Sequence, residues 1–309
     1  MRNELFLLVD GAEEICVGGH TNPDGDAVCA CFALALAIEK RDKTPKILLE
    51  SYHKKYRNRK GADFVYEGDL DSLSPDLFIA LDTADRGRLG ISEPVFARAK
   101  KTVNIDHHIS NPNYADVNIV EPDRSSASEL VYTLLPEIDF DIAGALYTGI
   151  LYDTGGLRYP NASPETLVIV SKLISIGIPF PDIYQQTLSV HSVAEARVLA
   201  LAIDHMTIAG KVSYTYLTID DMKKAGVDYC DLDGIVEYML NFENIEAAFF
   251  LSERPNGKVK ASFRSRTVNV CGVASGFGGG GHKNAAGATL DMDLKAAETA
   301  VLSEIMKVL

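Results

Sequence analysis

The sequence has few of the features that mark membrane-spanning, secreted or disulfide-stabilised proteins. Its 309 residues include no tryptophan and only five cysteines, with no Cys-x-x-Cys pair among them. Cysteines in apolar segments are typical of proteins kept in a reducing compartment, so we expect a cytoplasmic protein. No apolar run approaches the roughly 20 uncharged residues of a membrane span. Acids interrupt the short apolar run at the N-terminus, and no signal peptide is expected.

Basic residues are also scarce. Thirty lysines and arginines stand against 43 aspartates and glutamates, which gives a formal net charge of −13 at pH 7. This balance argues against a protein that coats long nucleic acid, but a small anionic substrate is allowed because bound metal ions can reverse the local charge. The basic run at 53–60 is either a solvated loop, the favoured interpretation, or a patch for an anionic ligand.

Short apolar runs alternate with helical patterns through the first half of the chain. Strands are predicted at 15–19, 45–50, 77–81, 102–105 and 117–120, and Asp26 is the predicted cap of a helix at 27–40. This alternation predicts an α/β fold whose N-terminal parallel sheet has helices on both faces. We predict a catalytic domain at 1–185 and a smaller α/β substrate domain at 186–309. The linker is expected near 178–191, and a helical stretch near 231–240.

Potential metal ligands follow three of the predicted strands. In open parallel sheets, ligands bind beyond the carboxyl ends of the strands. A single aspartate or histidine at such a position could be a helix cap, a turn residue or a core histidine. Their recurrence at successive strand ends predicts a metal site instead. The candidate residues are His20, Asp24, Asp26, Asp82, Asp106, His107, His108 and Asp153.

These candidates are carboxylates and imidazoles without thiolates. Such a set suits Mn²⁺, Mg²⁺ or Fe²⁺ better than structural zinc. Five carboxylates in one cleft would repel each other unless cations were bound, and two divalent ions would neutralise most of that charge. Two ions about 3.5–4 Å apart can hold both the attacking and the leaving oxygen of a phosphoryl displacement.

Five motifs resemble those of the DHH phosphoesterases. They are H-x-x-x-D-G-D-A at 20–27, D-T-A-D at 82–85, D-H-H at 106–108 and Y-D-T-G-G at 152–156, followed by G-G-G-G-H-x-x-A-A-G at 278–287. The last begins with a glycine-rich stretch, 278–282, which we expect to form a loop, and it resembles the glycine-rich signature of the DHH-associated substrate domain. The compact length is similar to that of the nanoRNase/pAp phosphatase (NrnA-type) branch rather than the longer RecJ-type exonucleases.

The resemblance implies a role for each candidate. Two divalent ions are implied, with Mn²⁺ expected and Mg²⁺ or Fe²⁺ as alternatives, and a water or hydroxide bridging them would be the nucleophile. Asp106 would orient an imidazole, and His108 would contact the scissile phosphate. One ion would be held by His20, Asp24 and Asp82, and the other by Asp26, Asp82, His107 and Asp153.

The resemblance also assigns substrate binding to the C-terminal domain. A phosphate would be held there by Arg264, Gly280, Gly281 and His282, although a surface arginine and a flexible glycine linker are the structural alternatives. The implied substrates are short oligoribonucleotides, linear dinucleotides such as pApA, and 3′-phosphoadenosine 5′-phosphate (pAp). Long nucleic acid and membranes are not expected as partners, whereas a homodimer is. A manganese inorganic pyrophosphatase and a non-catalytic nucleotide sensor remain as alternatives.

Overall fold

A computed structural model describes residues 2–50, 52–189, 192–227, 232 and 234–309. The chain divides into two compact units, Met1–Val190 and His191–Leu309. The predicted linker near 178–191 lies at this division, and its residues 190 and 191 are outside the described residues. In the described part of the chain, no helix has the length and apolar character needed to cross a membrane.

A parallel sheet of five strands forms the centre of the first unit. All neighbouring strands run parallel, which confirms the predicted α/β class. The strands are β1 (Ile15–Gly18), β2 (Lys46–Leu48), β3 (Leu77–Leu81), β4 (Lys101–Asp106) and β5 (Val117–Val120). The order is β2-β1-β3-β4-β5, so β1, β3 and β4 are adjacent and their carboxyl ends lie side by side.

Helices cover both faces of this sheet. Side chains alternate between the two faces along each strand, so side chains on both faces pack against helices. The helices are α1 (Arg2–Gly11), α2 (Gly25–Glu39), α3 (Glu93–Arg98), α4 (Ala127–Leu134), α5 (Phe140–Asp153), α6 (Pro164–Ser175) and α7 (Phe180–Leu188). Val17 and Ile79 belong to the large core shared with α2, α4 and α5. Phe78 belongs to a smaller cluster that includes Phe96 of α3.

The cap of α2 differs from the prediction. Asp24 is the cap, because its Oδ1 accepts hydrogen bonds from the backbone N–H groups of Asp26 at 2.9 Å and Ala27 at 3.1 Å. A cap side chain reaches the second and third N–H groups of a helix, and this helix already begins at Gly25. The prediction of Asp26 as the cap was therefore wrong, and its carboxylate is available for other partners.

The segment predicted as the linker contains helix α7. Pro179 is its N-cap and Pro181 lies in its first turn. The first N–H groups of a helix have no intrahelical partner, so a proline there removes no hydrogen bond. Both prolines therefore lie at the beginning of a helix.

The second unit is a six-stranded mixed sheet with helices on both faces. The strands are β6 (Thr207–Ala209), β7 (Val212–Leu217), β8 (Ala247–Glu253), β9 (Val259–Ser265), β10 (Gly280–His282) and β11 (Ala285–Leu290). The helices are α8 (Val193–Asp204), α9 (Ile219–Ala225), α10 (Ile235–Leu240), α11 (Val270–Gly276) and α12 (Leu294–Met306). The strand order is β10-β11-β9-β8-β7-β6, and only the β7–β8 pair among these described strands is parallel. Phe249 packs in a cluster with α11 and α12, and Phe250 packs on the opposite face with α8, α9 and α10.

Two sequence-based expectations fall partly on residues that are not described. The helical stretch predicted near 231–240 includes 231 and 233, which lie outside the described residues, and α10 forms its later part. Cys230 also lies outside them. The described cysteines are free thiols, and three of them, Cys16, Cys29 and Cys31, are buried, as the apolar sequence around them predicts.

Candidate metal centre and substrate site

Asp82 lies at the centre of the candidate metal site. It follows β3 with a left-handed φ of 51°, and its side chain is buried. Its Oδ2 is 3.6 Å from His20 Nε2, and its Oδ1 is 3.4 Å from His107 Nε2. Oδ1 has no hydrogen-bond partner among the residues that the structure describes. Buried carboxylate oxygens normally have a partner, so this atom fits a position that a cation would satisfy.

A first group of potential ligands contains His20, Asp24 and Asp82. One atom from each lies within 4.8 Å of the others. The His20 Nδ1 atom is 2.8 Å from the Thr21 carbonyl oxygen, so this nitrogen donates to the backbone. The other ring nitrogen, Nε2, faces Asp24 Oδ2 at 3.9 Å and is the ring atom that a cation could bind once it carries no proton. This arrangement directs one imidazole nitrogen and two carboxylates at one point.

A second group contains Asp26, His107 and Asp153, again with ligand atoms within 4.8 Å of one another. His107 Nε2 is 3.4 Å from Asp153 Oδ2 and equally far from Asp82 Oδ1. Its Nδ1 lies 3.3 Å from the carbonyl oxygen of Arg124. Asp82 therefore adjoins both groups, as a ligand shared by two ions must.

His108 and Asp106 form a pair beside these groups. His108 Nδ1 is 2.7 Å from Asp106 Oδ1, so the imidazole that Asp106 orients is that of His108. Asp106 is fully buried and belongs to none of the ligand groups found among the described residues. His108 also falls in a third group with Asp82 and His107, and its Nδ1 is 3.7 Å from Asp82 Oδ1. The sequence had not suggested that third grouping.

Burial and crowded charge shift the pKa values of these residues. Burial raises the pKa of Asp26 to about 7, and it raises the pKa of Asp153 well above its ordinary value. Burial alone would raise the pKa of Asp82, but the imidazoles of His107 and His20 outweigh it and hold the pKa well below the usual range. Without cations, protons therefore balance part of the carboxylate charge. Divalent ions bound here would displace those protons.

The N-terminus of α4 holds Asp26 in place. The two Asp26 carboxylate oxygens accept hydrogen bonds from the N–H groups of Ala127 at 2.6 Å and Ser128 at 3.0 Å. A Cβ atom at Gly149 would press on Ser128 Oγ and lie 2.7 Å from Asp26 Oδ1, so α5 needs glycine there. Ser126 caps this helix by accepting a hydrogen bond from the N–H of Glu129. No local signal indicates that this helix points at Asp26.

Asn111 is a residue of the site that the sequence analysis did not identify. Its Nδ2 donates to Asp106 Oδ2 at 2.6 Å and to Asn104 Oδ1 at 2.7 Å. Its backbone N–H donates to the carbonyl of His108 and closes a turn after the D-H-H motif. Asn104 in turn donates to Tyr114 Oη at 3.1 Å. A polar network therefore supports the Asp106–His108 pair from behind.

In the second unit, Arg264 lies on β9 and is already paired. Its Nη2 is 2.7 Å from Glu237 Oε1, and its Nη1 donates to the carbonyl of Phe263 at 2.9 Å. Across the sheet, Arg264 is opposite Ala285, and Ala285 is opposite His282. Opposed residues of antiparallel strands share a face. Arg264 and His282 therefore lie in one row on the same face.

The glycine-rich run ends in an exposed edge strand. Gly280, Gly281 and His282 form β10, where the sequence had suggested a loop. Gly281 has φ +141°, and a Cβ there would lie 2.5 Å from the Ala285 carbonyl oxygen. The glycines allow the backbone to approach β11 closely enough to pair, so the expectation of a loop was wrong for these residues.

The fold and these clusters define a class: an α/β protein with a centre of carboxylates and imidazoles, suited to divalent cations, at the carboxyl edge of a parallel sheet. Residues 14–150 match the DHH family, N-terminal domain, and residues 210–308 match the DHHA1 domain. The chain therefore belongs to the DHH phosphoesterase superfamily, which confirms the resemblance seen in the motifs.

Relatives match over nearly the full length. The bifunctional oligoribonuclease and PAP phosphatase NrnA of Thermus thermophilus is 29% identical over 311 residues, covering 98% of this chain and 91% of the relative. The protein of the same name from Bacillus subtilis is 26% identical over 306 residues, covering 94% and 93%. An exopolyphosphatase-related protein from Bacteroides fragilis has a solved structure that superposes with a TM-score of 0.91 at 25% identity, covering 99% and 95%. These likenesses confirm the predicted fold and the similarity to the NrnA-type branch.

Proposed function

We propose that this protein is a metal-dependent phosphoesterase for short nucleotides. It would hydrolyse short oligoribonucleotides, including linear dinucleotides such as pApA, to mononucleotides, and convert pAp to AMP. The observation that carries this proposal is the meeting of two ligand groups at Asp82 on one sheet edge. The names of its near-full-length relatives, oligoribonuclease and PAP phosphatase, support the choice of substrates.

Two divalent ions would occupy the two groups, with Mn²⁺ as the expected metal. Oxygen and imidazole ligands without thiolates favour Mn²⁺, Mg²⁺ or Fe²⁺, and the unpartnered Oδ1 of Asp82 fits a shared cation ligand. When bound, such ions neutralise carboxylates, polarise the phosphoryl group and activate water. The proposed ligands are His20, Asp24 and Asp82 for one ion, and Asp26, Asp82, His107 and Asp153 for the other.

Near the scissile phosphate, His108 would donate a hydrogen bond or a proton. The short contact with Asp106 holds its ring in one orientation, and such preorganisation is what transition-state stabilisation requires.

The second unit would bind a phosphate of the substrate. Arg264 and His282 lie in one row on the same sheet face, and this supports a joint role. Gly280 and Gly281 are exposed, and an anion would be able to approach their backbone closely because no side chain covers it. Arg264 would contact the phosphate either while it keeps its ion pair with Glu237 or after that ion pair breaks.

The net charge of −13 supports small substrates over long nucleic acid. We place the protein in the cytoplasm, which suits its free, buried thiols. The homodimer implied by the resemblance stays a prediction, and sedimentation of the full chain tests it.

The test is chromatography of products from an end-labelled dinucleotide, pentanucleotide and 20-mer, and from pAp, with Mn²⁺ or with chelator. We expect cleavage of the short substrates only with the metal. Cleavage that persists in chelator would refute the metal mechanism, and equal rates on the 20-mer would refute the preference for short substrates. Phosphate release from pyrophosphate but not from a dinucleotide would favour a pyrophosphatase. Calorimetric binding of dinucleotide without turnover would favour a sensor.

A further inference from the structure

We propose that Lys55 is a phosphate-binding residue on the rim of the metal-ligand cluster. Its ammonium would contact a phosphate group of the nucleotide substrate and help to set the affinity. Neither the motifs nor the ligand groups include this residue. The inference rests on the proposed function, because it concerns the same substrate.

The basic run at 53–60 lies on the same sheet edge as the candidate metal site. It follows β2, and β2 runs parallel to β1 and beside it. The carboxyl ends of these two strands therefore lie together. A short 3-10 turn, Lys54–Tyr56, begins the run, and Tyr56 is 1% exposed. Because Tyr56 is buried, the run is anchored to the fold and does not behave as a solvated loop throughout.

Two tyrosines connect this run to the predicted ligands. A Cβ atom at Gly25 would lie 2.5 Å from Tyr56 Oη and 2.5 Å from the Tyr152 ring. Gly25 stands between Asp24 and Asp26, and Tyr152 immediately precedes Asp153 in the chain. The two tyrosines therefore form a layer of side chains directly against the turn that carries the carboxylates.

The ammonium of Lys55 is positioned on this layer. Its Nζ lies 5.2 Å from the ring centroid of Tyr56 and 5.8 Å from that of Tyr152. It also donates to the carbonyl of Thr187 at 3.3 Å. Cation–π contacts of this kind orient an ammonium, and Lys55 is exposed. An exposed ammonium at this position suits a phosphate oxygen.

Arg59 also lies over the Tyr56 ring, with its Cζ 6.0 Å from the centroid, but it is bonded to α5 as well. Its Nη1 donates to Thr148 Oγ1 on α5 at 2.9 Å, and its side chain is half-buried. This arginine fastens the run to the helix, whereas Lys55 is directed to the layer next to the carboxylates. In a protein of net charge −13, a cation held at this position offsets the repulsion that an approaching nucleotide meets.

Lys55 has one structural alternative. Its bond to the Thr187 carbonyl could serve only to attach the run to α7. That role predicts a lower stability in a Lys55 variant with unchanged affinity for nucleotides. Phosphate binding instead predicts unchanged stability and a weaker affinity for nucleotides, so an experiment can separate the two roles.

The test uses the full chain with Mn²⁺ and compares Lys55→Gln, Lys55→Arg and the matched control Lys54→Gln. Lys54 is the neighbouring exposed lysine, so its variant removes the same charge from the same turn. KM and kcat are measured for pApA and pAp over a series of salt concentrations. We expect Lys55→Gln to raise KM about fivefold with kcat nearly unchanged. Its KM should also depend less on salt concentration, because salt screens the attraction between an ammonium and a phosphate. Lys55→Arg should fall between this variant and the wild type, and Lys54→Gln should match the wild type.

An unchanged KM for Lys55→Gln, with or without a lower unfolding temperature, would overturn the proposal. An equal rise in KM for Lys54→Gln would do so too, because it would show a general charge effect. If the wild-type protein hydrolyses neither nucleotide, the proposed function fails instead. Calorimetric titration with pAp and Mn²⁺ then decides the role of Lys55, and equal affinity in wild type and Lys55→Gln would refute it.

Discussion

The two predicted sites of this chain are built in opposite ways. In the first unit, the candidate ligands are mostly buried and contact one another, so that Asp26 is 0% and Asp82 is 3% exposed. In the second unit, the residues of the glycine-rich run are exposed on an edge strand. The first site is organised by the protein's own hydrogen bonds and charges, as chemistry at fixed positions requires. The second offers backbone groups and exposed side chains, which is enough for recognition of an anion.

The largest expected effect tests the shared ligand. Asp82→Asn keeps the size of the side chain and tolerates the left-handed φ, but removes the charge that both ions would share. We expect kcat to fall about a thousandfold or more, since loss of a residue that only supports a metal ligand already costs ten- to a hundredfold. Asp82→Ala should abolish turnover. Calorimetry with Mn²⁺ should show that both binding events weaken.

The matched control for this substitution is Asp85→Asn in the same motif. Asp85 is exposed, and its carboxylate caps the following turn by accepting from the N–H of Arg88. Near-normal turnover in Asp82→Asn, or the loss of one Mn²⁺ event only, would contradict the role of Asp82 as a shared ligand.

The next effect tests the support behind the buried site. Asn111→Ala removes the donor that bonds Asp106 Oδ2, so the orientation of His108 should loosen. We expect kcat to fall about ten- to a hundredfold, with little change in Mn²⁺ affinity because Asp106 lies outside the ligand groups found among the described residues. Steady-state kinetics and calorimetry measure the two quantities.

Asn113→Gly is the control for Asn111. Asn113 is exposed and has φ +60°, so glycine preserves the turn. A drop in unfolding temperature with unchanged kcat in Asn111→Ala would show that Asn111 supports only the loop.

A smaller effect tests the exposed site. Arg264→Lys keeps the charge beside Glu237 but loses the planar fork that binds a phosphate through two hydrogen bonds. We expect KM for pAp to rise about tenfold with kcat less affected. Arg266→Ala is the comparison, because Arg266 donates to the carbonyls of Ile245 and Leu240. It should cost about 1 kcal/mol of stability and leave KM unchanged. Equal KM values for Arg264→Lys and wild type would remove Arg264 from the substrate site.

The smallest expected effect is a difference in stability between alanine substitutions at two adjacent glycines. Gly281→Ala places a methyl group 2.5 Å from the Ala285 carbonyl, so we expect a loss of about 1–3 kcal/mol in unfolding free energy. At Gly280 a Cβ meets no atom within 4 Å in the described part of the chain, and Gly280→Ala should change stability by less than about 0.5 kcal/mol. Denaturant unfolding of the full chain measures both. Equal losses would show that the edge strand is packed differently, and a raised KM for Gly280→Ala alone would support a close approach of phosphate.

The local pattern of apolar runs predicted the strands that carry the candidate metal site. The apolar runs that became β1, β3 and β4 end close to His20, Asp82 and Asp106, and parallel strands bring such ends to one edge. Features that depend on distant partners were not predictable. The bond between Asp26 and Ala127 spans 101 positions of the chain, and no short motif encodes it.

By itself, the sequence determined the α/β class, the family and the set of candidate ligands. These follow from periodicity and from motifs whose residues are close in the chain. Only the tertiary structure decided the partners: Asp24 caps α2, Asp106 orients His108, and Asn111 supports that pair. The physical reason is that strand order and helix packing set the distances between side chains from different segments. A residue's role in a site depends on those distances.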